Sequence, residues 1–345
     1  MFGALSTPIL PGVFAVAALA IAYGGTRMTG QADLIADRTG LGEALVGGVL
    51  LGAATSLSGT IVSITAALDG RASLAFSNGI GGIAAQTAFL AFADILHRRA
   101  NLEHAAADLS NVFQGALLML MLALPLTAWL GPDVALFGVH PVSVLLLAIY
   151  LGGVIATHRV RQDPMWEAVE TEETDTDTPD AEEENAPSTP RLALAFGAIM
   201  LVMGVAGYVI AQVAGELTDR LGIRASVVGA LMTAVVTSLP ELITTLAAVP
   251  RGALQLAMGG IIGGNTFDTL FLVFADAAYR DGSLYHAIGK DDVFWLSVGL
   301  ILTAILTLGQ LYRQRQGPGG IGLESLGILV VYAAAILIQT LTGGG

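Results

Sequence analysis

The sequence predicts an all-α polytopic membrane protein, with ten transmembrane helices arranged as two inverted five-helix repeats. Three observations support this prediction. The chain of 345 residues is 54% hydrophobic and only 12% charged, whereas soluble domains carry roughly 25% charged residues. Several apolar stretches approach the ~20 residues that a helix needs to cross a bilayer. Residues 37–98 recur at 219–280 without a gap, and 23 of the 62 aligned positions are identical.

Ten apolar stretches account for most of the chain. They lie at about 8–26, 44–68, 72–96, 112–131, 134–157, 192–214, 225–250, 252–278, 292–312 and 321–341. No basic residue precedes the first stretch, and it belongs to the ten-span pattern. We therefore interpret it as a retained span rather than a cleaved signal peptide. The chain has no cysteine, which excludes a disulfide framework and a thiolate metal site.

A polar segment divides the ten stretches five and five. We predict a first five-helix repeat at 1–160, a disordered acidic linker at 161–190 and a second five-helix repeat at 191–345. Residues 163–184 carry eleven acidic residues and no basic one. Like charge and low apolar content predict a disordered, solvated tether. A cation-sensing loop is the less favoured interpretation of the same run.

The number of spans and the basic residues predict the orientation in the membrane. Because five is odd, the second repeat must enter the membrane from the side opposite to the first, so the repeats are inverted. Ten of the fifteen Lys and Arg residues lie on the linker side and five on the side of the termini. This excess places the acidic linker in the cytoplasm and both termini outside a multi-pass protein of the cell membrane.

The candidate chemistry lies in the seventh and eighth predicted spans. Glu241 is the only charge between Arg224 and Arg251, and Asp268 is the only charge in the next span before Asp276. A carboxylate at membrane depth costs about 2.5–3.5 kcal/mol, so it requires a partner, a bound cation or a proton. The structural alternative is a protonated acid that is hydrogen-bonded to a neighbouring helix. Two such acids on adjacent spans favour a functional site.

Local sequence features predict an oxygen-rich site around these acids. Thr237 and Ser238 supply hydroxyl groups one turn before Glu241. Pro240 lacks an N–H group and so weakens the helix at that point. Glycines 259, 260, 263 and 264 precede Asn265 and Asp268, where they either weaken the helix or form a close-packing seam. Carboxylate, hydroxyl and carbonyl oxygens suit hard cations such as Na⁺ and Ca²⁺.

Two motifs in the second repeat resemble the sodium/calcium exchanger family of the calcium/cation antiporter superfamily. They are Thr-Ser-Leu-Pro-Glu-Leu at 237–242 and Gly-Gly-Asn-Thr-Phe-Asp at 263–268. The resemblance implies that Glu241 and Asp268 are the carboxylate ligands of a cation site. It further implies that Thr237 and Ser238 add oxygens and that Asn265 lies beside the site.

The first repeat differs from the pattern of that family. Thr55 and Ser56 are retained, but Gly59 stands where the family usually has a glutamate. Gln86 stands where the family has Asn or Asp, and it can still offer a neutral oxygen. The resemblance then implies two site carboxylates, fewer ions per cycle and weaker binding of divalent cations. An acid introduced at Gly59 is expected to raise divalent affinity or to trap the ion.

The residues and the resemblance together predict a secondary active cation antiporter that works by alternating access at a midplane site. The expected partners are transported Na⁺ or Ca²⁺ ions and the lipid bilayer, with no cofactor and no nucleic acid. Proton-coupled cation antiport is the first alternative, because a carboxylate in apolar surroundings can carry a proton at neutral pH. A non-transporting ion sensor and an intramembrane enzyme are further alternatives. We expect no enzyme, since no nucleophile motif, histidine cluster or nucleotide-binding loop accompanies the two acids.

Overall fold

A computed structural model of the protein describes residues 6–97, 99–175, 188–220 and 234–342. Within these ranges the chain is helical, with no β-strand. Its principal helices are α1 Leu10–Thr39, α2 in two parts Glu43–Thr55 and Leu57–Leu68, α3 Ala72–Leu96, α4 Leu109–Leu130, α5 Pro141–Gln162, α6 Thr189–Arg220, α7 Leu239–Ala248, α8 in two parts Leu254–Asp268 and Leu270–Ala278, α9 Lys290–Tyr312 and α10 Leu323–Thr342.

The helices confirm the predicted membrane architecture. Eight described helices are long and apolar enough to span a bilayer, and α2 is a ninth if its two parts form one span. The seventh predicted span, 225–250, begins within residues 221–233, which lie outside the described ranges. The end of that span is α7. The first span runs further than predicted and ends at Thr39. It ends there because the next residue, Gly40, adopts the left-handed conformation (φ 64°) that commonly terminates a helix.

Two helices, α3 and α8, occupy the centre of the molecule. The side chains of Phe76, Ile80 and Ile83 on α3 are fully buried, as are those of Ile261 and Ile262 on α8. The surrounding helices expose apolar side chains outward; examples are Leu19, Tyr23, Leu151, Leu201, Leu308 and Leu337. An apolar outer surface around a helical core is the arrangement that a bilayer stabilises.

A seam of glycines joins the two repeats between α2 and α8. A Cβ atom at Gly263 would lie 2.1 Å from the Cα of Gly48, and one at Gly52 would lie 2.7 Å from the Cα of Gly264. No larger residue fits at such a backbone approach. Along the same seam α2 winds as a π-helix over Val46–Leu51, a distortion that is frequent at functional sites. The glycines therefore do form a close-packing seam.

In each repeat, an aspartate near the end of the third helix, α3 or α8, accepts two backbone N–H groups. Asp94 accepts from Leu102 at 2.7 Å and from Gly322 at 2.9 Å. Asp276 accepts from Leu284 at 3.2 Å and from His140 at 2.7 Å. We call these arrangements the Asp94 latch and the Asp276 latch. Asp94 and Leu102 correspond to Asp276 and Leu284 at the offset of the sequence repeat, and His140 corresponds to Gly322 at the same offset. The duplication seen in the sequence is therefore also present in the structure.

The first part of the acidic linker lies against the end of the molecule that carries the Asp94 latch. We call residues 169–175 the strap. The backbone N–H of Asp175 donates to the Ala105 carbonyl at 2.9 Å, and Arg313 donates to the Val169 carbonyl at 2.7 Å. Glu173 forms an ion pair with Arg315. Residues 176–187 lie outside the described ranges, so the disorder expected of the linker stays a prediction.

Candidate cation-binding site

Equivalent serines break one helix in each repeat. At Ser56 (φ −75°, ψ −1°) the two parts of α2 bend by 48°. Ser238 has similar backbone angles (φ −91°, ψ 6°) where the chain enters α7, with Pro240 in the first turn of that helix. Because Pro240 has no N–H to donate, the backbone at this break keeps an unused carbonyl. Each break directs a Thr-Ser pair toward the interior.

Glu241 lies one turn beyond the second break and is 2% exposed. The hydroxyl of Ser56 donates to its Oε1 at 3.5 Å, so the contact joins the two repeats. Its Oε2 is buried and has no hydrogen-bond partner among the described residues. Thr55 also borders Glu241, but the Thr55 hydroxyl donates to the Leu51 carbonyl at 3.1 Å.

Asp268 ends the first part of α8 and is 1% exposed. The amide of Gln86 on α3 donates to its Oδ2 at 2.7 Å and to the hydroxyl of Ser238 at 3.2 Å. Ser56 borders Asp268 as well as Glu241, so this one hydroxyl lies beside both acids. The Oδ1 atom of Asp268 is buried without a partner among the described residues.

Amide side chains surround the two acids. The Nδ2 of Asn265 donates to the hydroxyl of Thr87 at 3.0 Å, which leaves the buried Asn265 Oδ1 without a donor in the described structure. The hydroxyl of Thr237 donates to Asn78 Oδ1 at 3.2 Å. Asn78 in turn donates to the Gly59 carbonyl at 3.1 Å. An amide on α3 therefore holds the hydroxyl of Thr237.

The arrangement presents buried oxygens that lack hydrogen-bond donors among the described residues. They are Glu241 Oε2, Asp268 Oδ1, Gln86 Oε1 and Asn265 Oδ1. A buried acceptor without a donor is costly, and a cation satisfies such oxygens directly. Oxygen-only ligands are typical of Na⁺, Ca²⁺ and Mg²⁺ sites. Among the described residues, no group of three or more His, Cys, Asp and Glu side chains is arranged to hold a metal ion.

All eight residues predicted for the site are buried, and most of them touch one another. They are Thr55, Ser56, Gln86, Thr237, Ser238, Glu241, Asn265 and Asp268. Sequence reasoning missed Asn78 and Thr87. Asn78 lies two turns before Gln86 on α3, so a search for polar residues at helical spacing would have found it.

The position equivalent to Glu241 in the first repeat is filled by an aromatic ring. A Cβ atom at Gly59 would lie 2.6 Å from the ring of Phe271, which belongs to the second part of α8. An acid at position 59 therefore requires Phe271 to move. The expectation that an acid at Gly59 raises divalent affinity or traps the ion does not take this obstruction into account, and it stays a prediction.

Comparison with known proteins follows the same two repeats. A family model described as sodium/calcium exchanger protein matches residues 9–157 and 191–341. The chain belongs to the sodium/calcium exchanger family. Inner membrane protein YrbG of Escherichia coli (strain K12) is 25% identical over 333 residues, covering 93% of this chain and 94% of YrbG. The protein named "Putative antiporter CaxA" of Alkalimonas amylolytica is 24% identical over 307 residues, covering 86% of this chain and 90% of that protein.

Solved structures of the sodium-calcium exchanger NCX_Mj share the fold. One of them superposes with a TM-score of 0.70 at 20% identity, covering 95% of this chain and 98% of that chain. The fold of two inverted five-helix repeats predicted from the sequence is thereby confirmed. Family and fold are those of membrane transporters.

Proposed function

We propose that the protein is a secondary cation antiporter in which Glu241 and Asp268 bind the transported ion. One observation carries the proposal: two buried carboxylates, drawn together by broken helices and bordered by the same Ser56 hydroxyl, hold oxygens that lack donors. A purely structural pair of acids would be expected to use its oxygens on neighbouring N–H and O–H groups, as Asp276 does.

The charge of the site supports exchange rather than co-transport. Two carboxylates balance one Ca²⁺ or two Na⁺, and a second set of cations in the same buried space would leave excess positive charge. Binding of one ion species therefore excludes the other. Mutual exclusion combined with alternating access to the two sides of the membrane produces antiport.

The packing of α1 and α6 supports a moving unit outside the site. A Cβ atom at Gly24 on α1 would lie 2.9 Å from Met203 on α6, so these two helices fit together closely. Both expose apolar side chains on their outer faces. We infer that α1 and α6 rock together against the central α3 and α8, which keep the site nearly fixed.

A flux measurement tests the proposal. Purified protein is reconstituted in liposomes, and uptake of radiolabelled Ca²⁺ is measured under a Na⁺ gradient, under a H⁺ gradient and with neither. Uptake of radiolabelled Na⁺ is measured with and without a H⁺ gradient. Uptake driven by Na⁺ supports sodium-coupled antiport, and uptake driven by H⁺ supports the proton-coupled alternative. Absence of gradient-driven flux for Ca²⁺ and Na⁺, with folded protein in the vesicles, contradicts the proposal and favours a non-transporting ion sensor.

We further propose that the linker is cytoplasmic and that both termini are outside. The excess of Arg on the linker side motivates this orientation. Because the chain has no cysteine, Ser6→Cys and Ser188→Cys each introduce a single thiol. An impermeant thiol reagent applied to intact cells should label position 6 and spare position 188. The reverse pattern contradicts the orientation, and labelling of both in lysed cells is the control.

A further inference from the structure

Three carboxyl groups meet at the end of the molecule that carries the strap. Asp94 ends α3, Glu103 lies on the short helix Leu102–Ala105 and Glu324 lies in the first turn of α10. Their exposed fractions are 0%, 1% and 5%. This group lies outside the candidate cation site, and nothing in the proposed antiport cycle uses it.

The three carboxyl groups differ in the donors that they receive. Both oxygens of Asp94 accept backbone N–H groups in the Asp94 latch. Both oxygens of Glu103 are buried and receive no donor from any other described residue. The side chain within hydrogen-bonding reach of Glu103 is the carboxyl of Glu324, whose Oε1 also lacks a donor. Two ionised carboxylates have no hydrogen to share, so a bond between them requires a proton.

In the second repeat, the position equivalent to Glu103 holds a residue with an O–H group. Tyr285 is the residue equivalent to Glu103, and its hydroxyl lies 2.9 Å from the hydroxyl of Ser143. Ser143 donates to Asp276 at 2.7 Å, so an O–H group next to the Asp276 latch completes the network. Glu103 carries an O–H group only in its protonated form.

The charged groups around Glu103 offer it no cation. Asp94 and Glu324 are both acidic, and Glu173 of the strap is paired with Arg315. Arg313 is directed to the backbone carbonyl of His104 at 3.1 Å. The neighbouring His104 ring bonds the Arg313 carbonyl and the hydroxyl of Thr171, and Asp175 contacts the Ala105 carbonyl through its backbone. Burial, together with the charges of Asp94 and Glu324, raises the pKa of Glu103 well above its usual range.

We propose that Glu103 and Glu324 form a proton-binding site, in which protonated Glu103 donates to Glu324 and keeps the strap docked. The short helix that carries Glu103 is also the strap's anchor, through the Asp175–Ala105 and Thr171–His104 hydrogen bonds. Loss of the proton leaves three like charges in one buried space, and their repulsion is relieved when the short helix and the strap separate from α10.

The pH dependence has a definite sign. The folded pKa of Glu103 lies above the unfolded value of about 4.3, so its protonated form stabilises the fold below that pH. Between the unfolded and the folded pKa, the folded state binds more protons than the unfolded state, so this stabilisation decreases as pH rises and is lost above the folded pKa. Strap release is therefore expected on the alkaline side, with docking on the acidic side.

A spin label on the strap tests the proposal. Val169 has an exposed side chain, and its contact with Arg313 is made by the backbone carbonyl, so Val169→Cys accepts a label without removing that contact. Label mobility should rise with pH in the otherwise native protein. Adding Glu103→Gln, which keeps a neutral N–H donor toward Glu324, should abolish at least most of that rise.

Infrared titration gives a second readout, which reports the proton on the carboxyl group directly. The native protein should show the carbonyl stretch of a protonated carboxyl group that disappears over the pH range of strap release, and Glu103→Gln should lack it. Mobility that is independent of pH, or that changes equally in Glu103→Gln, overturns the proposal. So does strap docking driven by added Na⁺ or Ca²⁺ at constant pH, since the pair would then bind a cation.

Discussion

The two repeats share a backbone plan but differ in the chemistry of their side chains. Both have a break at a Thr-Ser pair, and both carry an aspartate latch at the end of the third helix. At the site, however, the second repeat supplies Glu241 and Asp268, whereas the first supplies Gly59 and Gln86. The acids of one repeat are therefore held by neutral donors of the other, Ser56 and Gln86.

This difference separates two requirements that a symmetrical site would combine. The broken helices and the glycine seam position the oxygens, and both repeats must keep them because each half supports the other. In the proposed antiporter, the negative charge would set how many cations bind, so it is needed only in the number that the transported ions require. The first repeat shares the broken-helix geometry but supplies no negative charge to the site.

Removal of the charge in the second repeat should have the largest effect. Glu241→Gln and Asp268→Asn each leave an amide of similar shape in the site, but halve its charge. We expect either variant to reduce cation flux more than about 100-fold, the scale of 3 kcal/mol of lost binding energy. Asp291→Asn, an exposed acid in the first turn of α9, is the matched control and should retain native flux. Native flux in Glu241→Gln or Asp268→Asn contradicts the assignment.

Restoration of an acid in the first repeat should destabilise the protein unless Phe271 is reduced. Gly59→Glu forces its side chain into the Phe271 ring, and such overpacking costs typically 1–3 kcal/mol. Phe271→Ala alone leaves a cavity that costs about 3–5 kcal/mol. The double variant should melt at a higher temperature than the sum of the two single effects predicts. Strict additivity of the melting temperatures in detergent would show that the two positions do not compete for space.

A third acid at position 86 should increase affinity without this steric problem. Gln86→Glu has nearly the same shape and places a carboxylate where the amide now lies 2.7 Å from Asp268. Added negative charge favours a bound divalent ion, so we expect Ca²⁺ to bind about tenfold tighter, or ~1.4 kcal/mol. Isothermal titration with Ca²⁺ compares native protein, Gln86→Glu and the neutral control Gln86→Met. Both variants lose the amide donor but only Gln86→Glu adds a charge, so the comparison separates the two effects. Weaker Ca²⁺ binding in Gln86→Glu than in native protein contradicts this role of the asymmetry.

The sequence was sufficient to predict the membrane architecture and the two acids, for physical reasons. Long apolar stretches and a gapless repeat are local signals, and an isolated carboxylate in such a stretch is conspicuous because it is costly. The sequence was insufficient where the answer depends on contacts between distant segments. The Phe271 ring beside Gly59, the Asn78 amide on Thr237 and the strap on Ala105 arise only when the repeats pack together.

The latches provide the finest test of the comparison. Backbone N–H groups donate to both oxygens of each native aspartate. Asp94→Asn and Asp276→Asn each replace one of these oxygens with an NH₂ group, which cannot accept from the backbone N–H. Each variant should therefore lose about 1–3 kcal/mol of stability. Asp276 faces the neutral Tyr285 and Ser143, and the cost there should not vary as Glu103 titrates. Asp94 faces Glu103, so its removal also relieves repulsion once Glu103 is ionised.

We therefore expect the melting temperatures of the two variants to fall by similar amounts at acidic pH. At alkaline pH Asp94→Asn should lose less stability than Asp276→Asn, by on the order of 1 kcal/mol, because it removes a like charge beside Glu103. Thermal unfolding in detergent across pH measures the difference. If the difference in melting temperature between the two variants does not change with pH, Asp94 stabilises the protein only through its hydrogen bonds to the backbone.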